Sequence, residues 1–245
     1  MKSEISDFRH DASQSMTLAK DSITEQVRDF LQKEIEAGNI APGERIYEHK
    51  LAEQLGISKT PLRLALYQLK QDRIVRIEPR QGIYLSAPTP EEVLELIEMR
   101  EVMEGLAARR VTKGGDLKIV GEMYACFAGF TDSNVNEART KYAHADHRFH
   151  HMLVTASGNS ELLRVFEVIN LRLHMNRLRR IFSRGHDLRP LHREHIALIA
   201  AIESGDARKA ELLARAHVRN VPWQLIMNEL GASAPRPTRS SVSAA

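Results

Sequence analysis

The sequence predicts a mainly α-helical protein of two domains, in which three helices and a small β-hairpin precede an all-α bundle of six helices. Leu, Ala, Glu and Arg recur while only 5% of the residues are aromatic, a composition that favours helices. Short elements separated by Gly and Pro extend to Ala87. Residues 89–230 instead carry long helical periods with few breaks, as a helical bundle requires.

Length and composition restrict the class of protein. The chain has 245 residues, 42% of them hydrophobic, which is enough to build the cores of two domains. Its single cysteine, Cys126, excludes an internal disulfide framework and fits a reducing compartment. No run reaches the apolar length of a membrane span, and the N-terminus lacks an apolar signal core. We therefore expect a cytoplasmic protein with no membrane partner.

Changes in composition predict four segments. These are a disordered arm (1–20), a first domain (21–87), a helical domain (88–230) and a disordered tail (231–245). The helical domain is predicted to contain six helices, at about 90–113, 116–131, 134–156, 160–183, 188–204 and 206–230. At the domain junction, Thr89 reads as a helix N-cap, with Pro90 at the first helical position and Glu92 closing a capping box.

The order of elements in the first domain is that of a winged helix-turn-helix. A helix is expected at 23–37, then a short helix, a turn at Gly56, and a longer helix capped by Ser58. Two short alternating strands follow at 74–77 and 83–85, with a tight basic turn between them.

The longer helix has a distinct polar stripe. Its apolar residues share one face, while Thr60, Arg63, Tyr67 and Lys70 share another, and Lys59 lies with Thr60 in the first turn. Between positions 59 and 80 there are six basic and two acidic residues, which suits the neutralisation of DNA phosphates. Similar helix pairs also occur in ordinary helical cores. The turn glycine, the polar stripe and the hairpin in this order favour DNA binding.

The first domain resembles the GntR family of bacterial regulators. The resemblance rests on PGERI, on LAEQLGISKTPLRLAL and on the wing around RQG. It implies that the DNA contacts are His49, Lys59, Thr60, Arg63 and Gly82. Three positions depart from the family pattern: Lys59 replaces Arg, Leu64 replaces Glu, and Arg73 stands where Gly is common. Lys59 keeps the positive charge but lacks the forked guanidinium that binds guanine through two hydrogen bonds.

A charged pair lies within the apolar stripe of the first helix of the helical domain. Arg100 and Glu104 are four residues apart there, and burying them is costly unless both are satisfied. One interpretation is an internal ion pair that holds helices together. The other is that Arg100 faces a cavity and captures a carboxylate through both arms of its guanidinium.

Histidines with an inward orientation are a second feature of this domain. In YAHADHRFHHMLV, Asp146 and His150 lie together at the edge of the apolar face, while the other histidines point away. On later helices His195 and His217 project among apolar residues. Spacing alone leaves two possibilities open, namely structural histidines in a core or the ligands of a divalent metal.

The helical domain resembles the FCD effector domain of the FadR-like branch of this family, and its six helices resemble the VanR-type subgroup. The matching elements are Arg100, D-x-x-F-H-x-x-L from Asp146, E-H-x-x-I from Glu194 shifted by one residue, A-I-x-x-G-D from Ala201, and His217. The resemblance implies a divalent metal held by Asp146, His150, His195 and His217. Zinc is the default ion, with nickel, manganese or iron as alternatives.

Together these features predict a homodimeric transcription regulator, such as a repressor, on a palindromic operator. A small organic acid would bind near the metal and Arg100 and change the relative placement of the DNA-binding domains. Two alternatives stay open at this point. One is a metalloenzyme in which Glu104 or His174 is the general base, and the other is a constitutive repressor with a purely structural metal.

Overall fold

The structure is a computed structural model that describes residues 22–181 and 186–220, without the side chains of 174–181. The predicted arm (1–20), the predicted tail (231–245) and the last ten residues of the sixth predicted helix lie outside the described residues. The described elements are, in chain order, α1 (Ile23–Glu36), β1 (Arg45–Ile46), α2 (Glu48–Leu55), α3 (Lys59–Gln71), β2 (Val75–Glu78), β3 (Gly82–Leu85), α4 (Pro90–Gly114), α5 (Leu117–Phe127), α6 (Arg139–Ala156), α7 (Ser160–Ile181), α8 (Arg189–Glu203) and α9 (Ala207–Asn220).

The first domain is the predicted winged helix-turn-helix. α1 begins at a capping box between Ser22 and Glu25, and α3 buries its apolar face against α1 and α2. Ser58 occupies the N-cap of α3, but its side chain makes no capping hydrogen bond. β2 and β3 form the wing, and the sheet gains a third strand that the sequence did not reveal, β1, in the order β1-β3-β2. β1 has only two residues, which are too few to show the alternating hydrophobic pattern that predicts a strand.

Two arginines in this domain have left-handed backbone conformations. Arg73 follows the C-cap of α3 with φ 56°, and Arg80 lies in the wing turn with φ 64°. Such values cost an L-residue with a Cβ about 1–2 kcal/mol relative to glycine. The geometry therefore explains why glycine is common at the position of Arg73 in the pattern that the sequence resembles.

The helical domain is built around α4, which contacts α6, α7, α8 and α9. α4 starts as predicted, with Thr89 and Glu92 in a capping box and Pro90 in the first turn. Of the next two helices, predicted at 116–131 and 134–156, the end of the first and the start of the second are wrong, whereas the second ends at 156 as predicted. α5 ends at 127, just before Gly129 with φ 91°, a conformation that ends helices. α6 begins only at 139, because the side chain of Asn134 binds the Thr131 N–H and the Gly129 carbonyl, each at 2.8 Å, and stabilises a turn.

α7 joins the two domains. Its Leu171 is 3% exposed and belongs to the hydrophobic core of the first domain, beside α1, although the helix itself lies in the second. A second core fills the bundle around α4. Among the described helices, none combines the length and the apolar character needed to cross a membrane.

Candidate metal centre and nucleic-acid interface

The four predicted ligands meet at one point inside the helical bundle. α6 contributes Asp146 and His150 one turn apart, α8 contributes His195, and α9 contributes His217. None of the four is more than 2% exposed. One donor atom of each lies within 4.8 Å of the others, so four side chains from three helices converge.

The spacing of these donor atoms fits a metal ion. His150 Nε2 lies 3.4 Å from His195 Nε2 and 3.3 Å from His217 Nε2. Asp146 Oδ1 lies 3.4 Å from His195 Nε2 and 3.6 Å from His150 Nε2. Ligands about 2.1 Å from a tetrahedral ion are about 3.4 Å apart, so these edges have the length that zinc coordination requires.

Two of the imidazoles are held from behind by carboxylates. His150 Nδ1 donates a hydrogen bond to Glu104 Oε2 at 2.7 Å, and His217 Nδ1 donates to Glu194 Oε2 at 3.0 Å. A proton on Nδ1 leaves the lone pair on Nε2, which is the atom that faces the cluster. Such carboxylate–histidine pairs are the usual support of metal-binding imidazoles.

The third imidazole is supported by a phenol. The Tyr142 hydroxyl lies 2.8 Å from His195 Nδ1, and the Phe127 ring stacks on the His195 ring with centroids 4.5 Å apart. Burial, followed by the charge of Asp146, raises the pKa of Tyr142, so the hydroxyl keeps its proton. Every histidine of the cluster therefore has its Nδ1 engaged and its Nε2 directed inward.

Charge in the cluster favours a cation. Burial, with the neighbouring imidazoles, lowers the pKa of His195 well below 6.5. Burial opposes protonation of His150 as well, but Glu104 and Asp146 outweigh it and raise the pKa of His150. Burial would raise the pKa of Glu104, yet the charges of Arg100 and His150 lower it to about 2. The pKa of Asp146 is lowered too, so two carboxylates stay ionised opposite one arginine.

Arg100 forms the ion pair that one interpretation of the sequence predicts. It is 1% exposed, and its Nε donates to Glu104 Oε1 within the same helix. Its Nη1 has no hydrogen-bond partner among the described residues. Arg100 thus orients Glu104 and keeps one donor that an anion could use. Its predicted role in binding an effector stays a prediction.

The predicted DNA contacts surround a cleft of about 700 Å³ between α3 and the wing. His49, Lys59, Arg63 and Gly82 line the cleft, and Thr60 lies exposed in the first turn of α3. Arg63 is bound on its Nε–Nη2 edge by the Glu48 carboxylate, with Nε–Oε1 and Nη2–Oε2 distances of 3.1 Å each.

Sequence reasoning missed part of this face. Arg45 and Tyr47, at and after β1, also line the cleft, with the Arg45 guanidinium 5.1 Å from the Tyr47 ring centroid. Gly82 has φ 130°, and a Cβ there would lie 2.8 Å from Arg45 Nε. The wing glycine therefore leaves room for an arginine, and the unpredicted strand β1 is what brings that arginine to the cleft.

Comparison with known proteins identifies the family. The model of bacterial regulatory proteins of the gntR family matches residues 23–85, and the model of the FCD domain matches residues 95–220. The chain belongs to the gntR family and carries an FCD domain. It is therefore a DNA-binding transcription regulator, as the sequence predicted.

Individual relatives agree with this assignment. The regulator is 26% identical over 204 residues to the probable D-xylose utilization operon transcriptional repressor of Paenarthrobacter nicotinovorans, with 83% of this chain and 89% of that protein covered. It is 31% identical over 159 residues to an uncharacterized HTH-type transcriptional regulator of Agrobacterium vitis, covering 61% and 92%. The structure of E. coli McbR/YncC shares the fold, with TM-score 0.71 and 19% identity over 85% of this chain and 99% of that one.

We predict that Glu48→Gln tightens operator binding by about 3- to 10-fold, because it releases Arg63 and removes a negative charge from the cleft. Affinity is measured by fluorescence anisotropy at fixed ionic strength, on a duplex selected from a random pool with the wild-type protein. Glu53→Gln, an exposed change on the same helix, serves as the control and leaves affinity unchanged. Weaker binding by Glu48→Gln would instead show that Glu48 positions Arg63 for DNA.

Proposed function

We propose that the regulator is a metal-containing sensor of a small organic acid, with operator binding as its output. The observation that carries the proposal is the convergence of Asp146 and three imidazoles, with donor atoms 3.3–3.6 Å apart along four edges and every Nδ1 engaged by the protein. A structural core histidine needs no such convergence, because one hydrogen bond would satisfy it.

The donor set fits a divalent ion held by Asp146, His150, His195 and His217. Three neutral imidazoles and one carboxylate are ligands that zinc accepts, and nickel, manganese or iron are alternatives. When bound, the ion would supply positive charge that one carboxylate only partly compensates. Glu104 and Glu194 would hold two imidazoles in the tautomer that coordination requires, and the Tyr142 hydroxyl could accept a hydrogen bond from the third.

The effector suited to this site is a small carboxylate. An anion beside the metal would meet its uncompensated positive charge, and Arg100 Nη1 offers a buried donor that lacks a partner among the described residues. Because the Arg100 side chain also binds Glu104, an acid there would contact the same residue that supports His150. Acid and metal would therefore influence each other's binding.

DNA binding would use two copies of the chain. The reading helix α3 and the wing of each copy would enter one half-site of a palindromic operator, in the cytoplasm where the chromosome lies. The probable repressor of P. nicotinovorans favours repression as the direction of control. The predicted contacts are His49, Lys59, Thr60, Arg63 and Gly82.

A second copy would cover an apolar stripe on α4. Met99, Val102 and Leu106 follow one another at intervals of three and four residues and are 50%, 49% and 39% exposed. Leu212 on α9 is 56% exposed, and α9 packs along α4. Exposed apolar side chains aligned on one helical face are typical of an interface between subunits.

Of the two bases predicted for the metalloenzyme alternative, only Glu104 has a described side chain. Both oxygens of Glu104 accept hydrogen bonds, from Arg100 and His150, and its pKa is lowered to about 2. A general base works best with a pKa near the working pH, so Glu104 is poorly suited. The side chain of His174, the other candidate, lies outside the described residues.

Metal binding should stabilise the protein increasingly as the pH rises. Zinc needs neutral imidazoles, whereas metal-free His150 has a raised pKa and is stabilised by its proton at low pH. Differential scanning fluorimetry should therefore give a Tm about 10 °C higher with zinc than with EDTA near pH 8. The difference should shrink as the pH falls below about 6.

His150→Ala should abolish that difference, while His144→Ala, an exposed change on the same helix, should keep it. A zinc effect of equal size in the His150→Ala variant would show that the ion binds elsewhere.

Arg100→Lys should weaken acid binding and spare the metal. Lysine keeps a positive charge opposite Glu104 but loses the planar fork that grips a carboxylate. In a thermal-shift screen of small carboxylic acids on zinc-loaded protein, we expect a hit whose apparent Kd rises at least about tenfold in this variant, with zinc content unchanged.

Arg110→Lys on the same helix is the matched control. If Arg100→Lys lost its zinc, Arg100 would be a structural residue. If no acid shifted the Tm of the wild type, the metal would be structural and the sensor proposal would fail.

Val102→Glu should convert the dimer into a monomer, because it places a charge in the centre of the apolar stripe on α4. Analytical ultracentrifugation should show a single species of half the wild-type mass, and operator affinity should drop by at least about tenfold. Leu117→Glu introduces the same charge at a 70% exposed leucine on α5 and should remain dimeric. A dimeric Val102→Glu variant would place the interface elsewhere.

A further inference from the structure

A second cleft lies between the two domains, away from both sites described above. It has a volume of about 570 Å³, which is enough for a small metabolite. It is surrounded by the end of α3, the start of β2, the linker between β3 and α4 (residues 86–89), the start of α4 and the middle of α7. Its charged lining residues are Lys70, Arg73, Arg76, Arg172 and Glu92.

The charges in this interdomain cleft do not balance. Four basic side chains line it against one carboxylate, and a second carboxylate, Glu78, pairs with Arg76 at 2.8 Å. Asp72, the other acidic residue near the end of α3, is bound by Arg28. Glu95, outside the lining, also acts on Arg172, so the four basic residues exceed these three carboxylates by one positive charge, which a phosphate group would neutralise.

Glu92 has little capacity left for the arginines around it. Its Oε2 accepts the Thr89 N–H of the capping box at 3.0 Å. Its Oε1 is shared between Arg172 Nη2 at 3.4 Å and Arg73 Nη1 at 4.0 Å, both of which are long. One carboxylate oxygen therefore interacts with two guanidinium groups, each at a distance longer than a usual hydrogen bond.

Arg172 carries the clearest sign of an unmet interaction. Its side chain is 11% exposed, and its Nε is buried without a hydrogen-bond partner among the described residues. Burial lowers the pKa of Arg172 and the charge of Arg73 adds to this, while Glu92 and Glu95 oppose it. Nε and Nη2 form the edge of a guanidinium that binds an oxyanion through two parallel hydrogen bonds, and Glu92 reaches only the Nη2 end.

The location argues against a phosphate of the DNA backbone. The predicted DNA contacts of α3 begin at Lys59 in its first turn, whereas the cleft uses Lys70, eleven residues later and about 16 Å further along the helix. Arg172 lies next to Leu171, which is buried in the core of the DNA-binding domain. A ligand here would contact both the helical domain and the reading helix α3.

We propose that the interdomain cleft binds the phosphate group of a small phosphorylated molecule through Arg172, Arg73 and Lys70. Such a ligand joins the end of α3 to α7 and the start of α4, and so fixes the DNA-binding domain relative to the bundle. It is a second input to the regulator, separate from the metal and its acid. By linkage, operator DNA changes the affinity for this ligand as much as the ligand changes the affinity for the operator.

Isothermal titration with inorganic phosphate, at constant ionic strength in sodium chloride, tests the proposal on the full chain. We expect saturable binding with a Kd of about 1 mM or tighter. Arg172→Gln and Arg73→Gln should each weaken it at least about tenfold. Arg164→Gln, an exposed change on α7, should leave it unchanged. Arg73 is 71% exposed, so its variant folds even if the Arg172 variant does not.

His150→Ala and EDTA both remove the metal, and so would abolish phosphate binding at the metal centre. Neither should affect phosphate binding in the interdomain cleft. Binding lost in His150→Ala but kept in both arginine variants overturns the proposal, as does the lack of saturable binding up to about 10 mM. The proposal is also overturned if the wild type does not bind phosphate while Arg172→Gln weakens operator binding, because that result would assign the cleft to the DNA backbone. The test does not depend on the acid sensor, which can fail independently.

Discussion

The hydrogen bonds on the outer nitrogens of three buried histidines determine what the helical domain can do. Glu104, Glu194 and Tyr142 each engage one Nδ1, so that three Nε2 atoms and one carboxylate oxygen face a common centre. Lone pairs and negative charge brought this close repel one another unless a proton or a metal ion lies between them. The cluster formed by α6, α8 and α9 is therefore suited to a cation, on which the proposed sensor function depends.

One helix connects this centre with the DNA-binding domain. α4 begins at the linker, where Glu92 lies in the interdomain cleft, and eight residues later Arg100 contacts the carboxylate that supports His150. That interval corresponds to about 12 Å along the helix. α7 forms a second connection, since Leu171 is inserted in the core of the first domain. A ligand that shifted α4 or α7 would therefore act on the position of the first domain, in which α7 contacts α1 and α1 packs on α3.

Helical periodicity was sufficient to identify the inward residues of the centre. A period of 3.6 residues places Asp146, His150, His195 and His217 on buried faces, and all four are buried. It could not identify Tyr142 or Glu194 as their supports, because those contacts depend on how separate helices are placed. The capping box of α4 was predictable for a similar reason, since its residues are adjacent in sequence.

Features formed by segments distant in the chain could not be predicted from the sequence. β1 is two residues long, and only its pairing with β3 brings Arg45 to the cleft lined by the predicted DNA contacts. The interdomain cleft joins side chains of α3, β2, α4 and α7, which are up to about a hundred positions apart. The end of α5 was misplaced because Gly129, which follows the helix with φ 91°, was not read as a stop signal, and because hydrogen bonds of the Asn134 side chain stabilise the following turn.

X-ray absorption at the metal edge of the protein, as purified without added metal, tests the central claim most directly. The account predicts one divalent ion per chain, with three imidazole nitrogens and one carboxylate oxygen at about 2.0–2.2 Å in its first shell. His217→Ala should remove one imidazole from that shell. An ion with a purely aqueous shell, or a shell unchanged by that substitution, would contradict it.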